Sequence, residues 1–230
     1  MQEYLPRLIE KTIEKQLRAM GGIVVEGPKW CGKSTTAKRF AKTVVELQKP
    51  QVFKRYRAFA ETSEENLLAG EKPLMFDEWQ KIPDIWDFIR TDIDETGFSG
   101  QYILTGSAKP IKNHERHTGT GRIAKVFMRP MSLWESGDST GEVSLKGLFD
   151  GEDAVFGKSK LKLDDLTFAV CRGGWPEAVI KPEQALTLTA SYFRSLTSED
   201  INVLISIVES FAATSACIVV FGAKDDMHRA

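Results

Sequence analysis

Hydrophobic residues at helical spacing open the chain. Leu5, Leu8, Leu17 and Met20 belong to a series whose members fall mainly three or four positions apart, and Glu and Lys fill much of the other face. This pattern predicts an amphipathic helix, which we expect to end at the glycine pair that follows Met20 because glycine commonly closes helices. Its mixed rather than basic polar face favours packing against a sheet over membrane attachment.

Short apolar runs then alternate with segments of helical periodicity. Strands are predicted in residues 22–26, 73–78, 101–107 and 121–128, since each run is short and rich in buried-strand residue types. Helices are predicted over residues 34–47 and 82–93, where hydrophobic side chains recur at helical spacing. Strands alternating with helices predict an α/β domain with a parallel sheet flanked by helices.

The segment 51–60 has two interpretations. Val52, Phe53, Tyr56 and Phe59 stand among Lys54, Arg55 and Arg57. Interleaved bases and aromatics can contact nucleic acid. We favour a second strand of the sheet, because basic residues commonly line exposed sheet edges.

The alternation stops after Pro130, and the small, polar stretch 136–142 predicts a boundary. We therefore predict three parts: an α/β domain with its N-terminal helix in residues 1–135, a mostly helical accessory or lid region in 136–204, and an atypical tail in 205–230. Residues 203–223 contain a single charge, Glu209, and are long enough for a membrane span. Interspersed Ser and Thr favour a buried segment or a non-native end to the chain.

Composition narrows the function classes. The 230 residues are 42% hydrophobic with a formal net charge of −1, so no whole-chain basic field favours nucleic acid or an anionic membrane. The three cysteines, Cys31, Cys171 and Cys217, have neither disulfide nor metal-ligand spacing. We expect a cytoplasmic protein without a membrane partner, because no apolar signal core opens the chain.

The first chemical motif follows the first predicted strand. Residues 27–34 fit G-x-x-x-x-G-K-[ST], the phosphate-binding loop. Glycine at each end allows close backbone approach to phosphate oxygens, Lys33 can reach the outer phosphates, and the Ser34 hydroxyl can bind Mg²⁺. The predicted nucleotide-binding set is Gly27, Pro28, Lys29, Trp30, Cys31, Gly32, Lys33, Ser34 and Thr35.

Two residues inside this loop have a second interpretation. Cys31 lies where a helix dipole could lower the pKa of its thiol, which would permit redox control. A tolerated small residue is the simpler interpretation. Trp30 is expected to pack rather than to stack on a base.

The second motif ends the predicted strand 73–78. An apolar run delivers two acids, Asp77 and Glu78. We expect Asp77 to hold Mg²⁺ directly or through water, with Ser34 as the other metal-binding residue. Glu78 is then placed to orient or polarise the attacking water. A charged strand cap is the alternative.

Further candidates come from the last two predicted strands. Thr105 or Ser107 could present a hydroxyl to the γ-phosphate, and Thr105 is preferred. Arg122 and Arg129 are candidates for a γ-phosphate arginine, either within the chain or offered to a neighbouring subunit. His114 and His117 lack metal-ligand spacing and are expected to be loop residues.

Taken together, these motifs resemble the AAA+-type ATPases of bacteria and archaea that carry an uncharacterised C-terminal domain. The resemblance implies a P-loop NTPase fold with an additional strand (ASCE/AAA+-like), Lys33 and Ser34 at nucleotide and Mg²⁺ positions, and Asp77 and Glu78 as Walker B. It also implies Thr105 as the sensor and Arg122 as the arginine that follows it. The pieces that carry it lie in residues 4–7, 26–34, 76–80, 103–107, 117–122, 128–133 and 172–176.

The resemblance extends to about residue 201, and 205–230 depart from it. We expect a truncated or frameshifted end and an incomplete accessory region. The predicted function is Mg²⁺-dependent ATP hydrolysis by Glu78, Lys33, Thr105 and Arg122, with a homo-oligomer as one arrangement. The alternative is a nucleotide-gated switch with little turnover that contacts a protein or DNA partner. A small-molecule kinase ranks third, and no guanine-reading motif is evident, which favours ATP over GTP only weakly.

Overall fold

The computed structural model describes residues 4–106, 119–151 and 157–195. Ser107, His114, His117 and the tail 205–230 lie outside the described residues, as does the apolar stretch 203–223. In chain order the described elements are α1 (Glu10–Ala19), β1 (Gly22–Glu26), α2 (Lys33–Ala37), β2 (Thr43–Glu46), α3 (Pro50–Thr62), α4 (Glu64–Leu67), β3 (Leu74–Asp77), a 3-10 turn (Trp79–Lys81), α5 (Ile85–Thr96), β4 (Tyr102–Gly106), β5 (Ile123–Phe127), α6 (Leu145–Phe149), α7 (Leu163–Arg172), α8 (Pro176–Ile180), a 3-10 turn (Pro182–Gln184) and α9 (Ala185–Ser195).

Within the described residues, five strands form one parallel sheet in the order β2-β3-β4-β1-β5. β4 therefore lies between β1 and β3. Its Thr105 pairs with Val25 of β1 on one side and with Asp77 of β3 on the other. Because the strands are parallel, the ends of β1, β3 and β4 meet at one edge of the sheet, where open α/β sheets bind ligands. The predicted α/β fold is confirmed.

Helices cover both faces of the sheet. Alternating residues of β1 divide between two cores: Val24 packs with α3 and α5, whereas Ile23 and Val25 pack with α1, α2, α8 and α9. β3 and β4 are buried along their whole length, which explains why their sequences are continuous apolar runs rather than alternating ones.

The helix predicted over residues 34–47 is wrong. α2 ends at Ala37, and Thr43–Glu46 form the edge strand β2, which pairs with β3. The run Thr43-Val44-Val45 is β-branched, and β-branched side chains fit a pleated surface better than the crowded turn of a helix.

The strand predicted over residues 51–60 is also wrong. α3 starts with Pro50, whose fixed φ suits a first helical turn. Tyr56 is buried and lies four positions after Val52, so one helical face enters the core. Lys54, Arg55 and Arg57 are exposed on the rest of the helix.

After β5, the described part of the chain contains helices and turns but no further strand. The loop before α8 docks on the segment that follows β5, where the Met131 amide donates to the Gly174 carbonyl at 2.7 Å. A Cβ on Gly174 would lie 2.2 Å from the Met131 carbonyl oxygen, so only glycine fits. The domain boundary near residue 136 stays a prediction. No described helix has both the length and the apolar character that a bilayer crossing needs.

Candidate nucleotide-binding site

The loop between β1 and α2 has the backbone that its glycines predict. Gly27 and Gly32 have φ of 152° and 98°, values that residues with a Cβ rarely adopt. A Cβ on Gly27 would also lie 2.1 Å from the Met128 carbonyl oxygen. The loop is therefore held tightly against the chain that leaves β5.

Lys33 is folded back onto this loop. Its Nζ donates to the carbonyl oxygens of Gly27 and Pro28 at 2.9 and 2.8 Å, and the residue is buried. Both acceptors are neutral dipoles. A buried ammonium gains more from an ionised partner such as a phosphate oxygen.

The Asp77 carboxylate accepts hydrogen bonds from three side chains of the site. Its Oδ1 accepts hydrogen bonds from the Ser34 and Thr105 hydroxyls, each at 2.6 Å, and its Oδ2 accepts from Gln48 Nε2 at 3.3 Å. Asp77 is only 1% exposed. The structure thus brings together Ser34, Asp77 and Thr105, three of the residues that the sequence predicts for the site. Gln48, which follows β2, was missed because that strand was predicted as helix.

Glu78 follows Asp77 in a left-handed conformation, with φ 59° and ψ 46°. A non-glycine residue held there stores about 1 kcal/mol or more of backbone strain, which is commonly found at functional sites. The residue lines the same cleft as Lys33 and Ser34. The two adjacent acids therefore differ in their surroundings: Asp77 is buried, whereas Glu78 borders the cleft.

Arg122 lies away from the nucleotide-binding loop of its own chain. The predicted arrangement in which it contacts the γ-phosphate within one chain is therefore wrong. Ile123 pairs with Gly22 at the start of β1, so Arg122 lies at the opposite edge of the sheet. The five residues of β1 separate it from the loop, or about 17 Å. Arg122 forms an ion pair with Asp94 instead, and this contact raises the pKa of the guanidinium further. An approach to a neighbouring subunit stays a prediction.

Arg7 clamps the site from the N-terminal segment, and sequence reasoning gave it no role. Its guanidinium is buried and donates to the carbonyl oxygens of Cys31 and Arg129, both at 2.7 Å, and to Glu135 Oε1 at 3.0 Å. Burial raises the pKa of Glu135, but backbone amides of Ser132 and Leu8 and the Arg7 charge outweigh it, so the pKa is lowered overall. The only signal for Arg7 in the sequence was that residues 4–7 are among the pieces that resemble the AAA+-type ATPases.

Cys31 is buried beneath the loop, where its Sγ donates to the Met128 carbonyl oxygen at 3.6 Å. Burial raises the pKa of its thiol, although Lys33 and Arg7 partly offset this effect. The lowering of this pKa, the less favoured of the two interpretations of Cys31, is therefore not found, because desolvation exceeds the nearby positive charge.

Trp30 joins the loop to the helical region. It adopts a left-handed φ of 65° and leaves about half of its surface exposed. Its ring lies 5.3 Å from that of Tyr192 in α9, and Tyr192 lies 4.3 Å from Trp175. Trp30 thus packs in an aromatic cluster.

A cleft of about 560 Å³ runs from the loop to α8. Its lining includes Lys33 and Ser34 of the loop and the apolar residues Leu5, Pro176 and Ile180. Tyr4 also lines it; burial and a hydrogen bond to Glu10 raise the pKa of Tyr4 to about 12, so its hydroxyl stays neutral. A lining that combines charged and apolar side chains suits a phosphorylated, ring-bearing ligand.

The described residues contain no group of three or more His, Cys, Asp or Glu side chains that could enclose a metal. Ser34 and Asp77 nevertheless provide one hydroxyl and one carboxylate side by side. Mg²⁺ is commonly bound by one or two such oxygens, with waters and substrate phosphates completing its shell. The donor set therefore fits Mg²⁺.

The chain was compared with protein families, curated proteins and solved structures. The AAA domain family matches residues 21–136, just over half of the chain. No curated protein matches the sequence. Among solved structures, that of C. elegans PCH-2 is similar with a TM-score of 0.34 and 15% identity, covering 88% of this chain and 59% of that one.

Proposed function

We propose, from the premise that the chain belongs to the AAA domain family, that it binds ATP with Mg²⁺ and hydrolyses the γ-phosphoryl group. Nucleotide binding follows from the family. Hydrolysis is supported above all by one observation: the Ser34 hydroxyl and the Asp77 carboxylate are 2.6 Å apart beside a glycine-flanked loop. Bound Mg²⁺ would neutralise charge that develops on the phosphate oxygens.

The residues of this chain divide the remaining work. Lys33 would leave the carbonyl oxygens of Gly27 and Pro28 for the β- and γ-phosphates. Glu78 would orient the attacking water and accept its proton. Thr105, already bonded to Asp77 at the adjoining strand end, is the candidate hydroxyl for the γ-phosphate.

Arg122 could act only on a nucleotide in another copy, because it lies at the far edge of its own sheet. This role requires a homo-oligomer and the release of Arg122 from Asp94. An arginine offered in this way stabilises charge in the transition state.

Turnover of the purified chain tests the proposal. Phosphate release from ATP should require Mg²⁺ and fall about 100-fold or more in Glu78→Gln, the range lost with a general base, while ATP still binds. Glu71→Gln, an exposed acid on the loop before β3, is the matched control and should keep its turnover. Equal rates for Glu78→Gln and the wild type would remove Glu78 from the mechanism.

A nucleotide-gated switch remains the second candidate. It is favoured by the contact of Trp30 with Tyr192, which ties the nucleotide loop to α9. Tight ATP binding without turnover, measured at protein concentrations high enough for copies to associate, would favour the switch over the ATPase.

A further inference from the structure

We infer that Gln80 is a positioning residue that holds the Glu78 carboxylate for its work on the attacking water. The inference rests on the proposed hydrolysis. Gln80 Nε2 donates to Glu78 Oε2 at 2.5 Å. A hydrogen bond to an ionised carboxylate is short and about twice as strong as a neutral one. Because it occupies one carboxylate oxygen, the other is left for the water.

The backbone that carries Gln80 is anchored. Gln80 lies in the 3-10 turn Trp79–Lys81, where the Lys81 amide donates to the Glu78 carbonyl at 3.1 Å and the Ile82 amide to the Trp79 carbonyl at 3.0 Å. The Trp79 ring packs on Trp86 of α5 with centroids 5.2 Å apart, and Ile82 is fully buried. The amide of Gln80 therefore approaches Glu78 from a fixed base.

The other end of the Gln80 amide is not explained by packing. Its Oε1 is buried and has no hydrogen-bond partner among the residues that the structure describes. A buried, unpaired amide oxygen costs free energy, which an apolar side chain of the same length would avoid. Packing alone would therefore favour an apolar side chain at position 80. The hydrogen bond to Glu78 explains why an amide is present instead.

Gly106 at the end of β4 makes room for this amide. A Cβ there would lie 2.3 Å from Gln80 Oε1, and the next nearest atoms are the amide carbon of Gln80 and a ring carbon of Trp79. The φ of Gly106 is not in the left-handed range, so alanine is compatible with its backbone. Gly106→Ala should therefore push the amide away from Glu78 without straining the strand.

The orientation of the Glu78 carboxylate depends on the hydrogen bond from Gln80, because a glutamate side chain has several rotatable bonds. Glu78 stands after the last residue of β3, bordering an open cleft. Without a fixed partner its carboxylate would sample several rotamers, and a misplacement of about 1 Å can cost 100-fold in rate. Gln80 does not need to touch substrate to affect kcat.

The test is a double-mutant cycle on ATP hydrolysis. Gln80→Met keeps the side-chain length and removes the donor, so kcat should fall about tenfold, which corresponds to about 1.4 kcal/mol, while KM stays within about twofold. Lys81→Met, on the exposed side of the same turn, is the matched control and should leave both constants unchanged. Gln80→Met combined with Glu78→Gln should be no slower than Glu78→Gln alone.

Gly106→Ala is the second variant, needed if Gln80→Met folds poorly by circular dichroism. It should lower kcat about as much as Gln80→Met, and the two changes together should be no worse than either. A rise in kcat in either variant would overturn the inference, since the contact would then restrain Glu78 rather than position it. An unchanged kcat, or additive losses with Glu78→Gln, would overturn it equally.

The two proposals fail in different ways. Wild-type turnover that disappears in Glu78→Gln but survives in Gln80→Met and Gly106→Ala refutes the role of Gln80 and leaves the ATPase intact. A wild-type chain that binds ATP and releases no phosphate refutes the hydrolysis, and the role of Gln80 falls with it.

Discussion

Asp77 connects three separate parts of the chain at the scale of single residues. Ser34 lies 43 positions before it, Gln48 lies 29 before it and Thr105 lies 28 after it, yet all three donate to its carboxylate. These three hydrogen bonds satisfy a carboxylate that is buried away from water. The same atoms must rearrange when a cation takes their place.

Thr105→Val tests the structural part of this network. Valine has nearly the same shape but cannot donate, so the variant should lose about 1.5 kcal/mol in the free energy of unfolding, as for other hydrogen bonds to charged acceptors. Urea unfolding measures the loss. An unchanged midpoint would mean that Ser34 and Gln48 alone satisfy Asp77.

The lowered pKa of Glu135 predicts that the free energy of unfolding depends on pH. Its pKa is lowered in the folded chain, so its contribution is present above the unfolded value, about 4.5, and is lost as the pH falls through the folded pKa. Glu135→Gln should cost about 2 kcal/mol at pH 7, because Arg7 keeps a buried charge without its ionised partner.

The difference in unfolding free energy between wild type and Glu135→Gln should shrink as the pH falls below the unfolded value of 4.5, and urea unfolding at a series of pH values can follow it. A difference that is independent of pH would show that the Arg7 contact does not depend on the charge of Glu135.

Residues within one motif could be predicted from sequence, and residues joined by tertiary contacts could not. Lys33 and Ser34 follow from the spacing of a continuous loop. Arg7 is bonded to Glu135 across 128 positions and Gln48 to Asp77 across 29. Nothing in local periodicity reports such pairs, because the fold brings them together.

At the scale of elements, the two errors have a common cause. The stretch 34–47 contains enough apolar residues at helical spacing to mimic a long helix, but its β-branched end pairs with β3 instead. That misplacement moved the second strand onto residues 51–60, which form α3. The strands β1, β3, β4 and β5 were predicted correctly. In the buried strands β1, β3 and β4 the signal is a short apolar run, which is typical of strands covered on both faces.

The docking of α8 provides a test at this scale. Gly174→Ala would bring a Cβ to 2.2 Å from the Met131 carbonyl oxygen, and backbone cannot move aside as a flexible side chain can. We expect a loss of about 2 kcal/mol or more in unfolding free energy, together with increased proteolysis near residue 174. The φ of Gly174 is outside the left-handed range, so this loss reports the clash with Met131 rather than backbone strain.

At the scale of the whole molecule, the site lies where the α/β domain and the helical region meet. The cleft has walls from the N-terminal segment, the loop after β1 and α8, and Arg7 bonds two of the chain segments around it. This arrangement explains why the sequence could identify the phosphate-binding loop but not the apolar residues that also line the cleft. Leu5 precedes α1 and Pro176 and Ile180 belong to α8, so only the folded chain brings them to one cleft.

The central claim is that Ser34 and Asp77 hold a Mg²⁺-bound triphosphate against the loop of Lys33. Calorimetric titration of ATP into the chain, with Mg²⁺ and then with EDTA, tests it most directly. Asp84→Asn, an exposed acid before α5, is the control for Asp77→Asn. We predict that Mg²⁺ tightens ATP binding about tenfold or more in the wild type and in Asp84→Asn but not in Asp77→Asn, since a hard cation needs the carboxylate oxygen. Equal enhancement by Mg²⁺ in all three proteins, or no ATP binding by the wild type, would contradict the account.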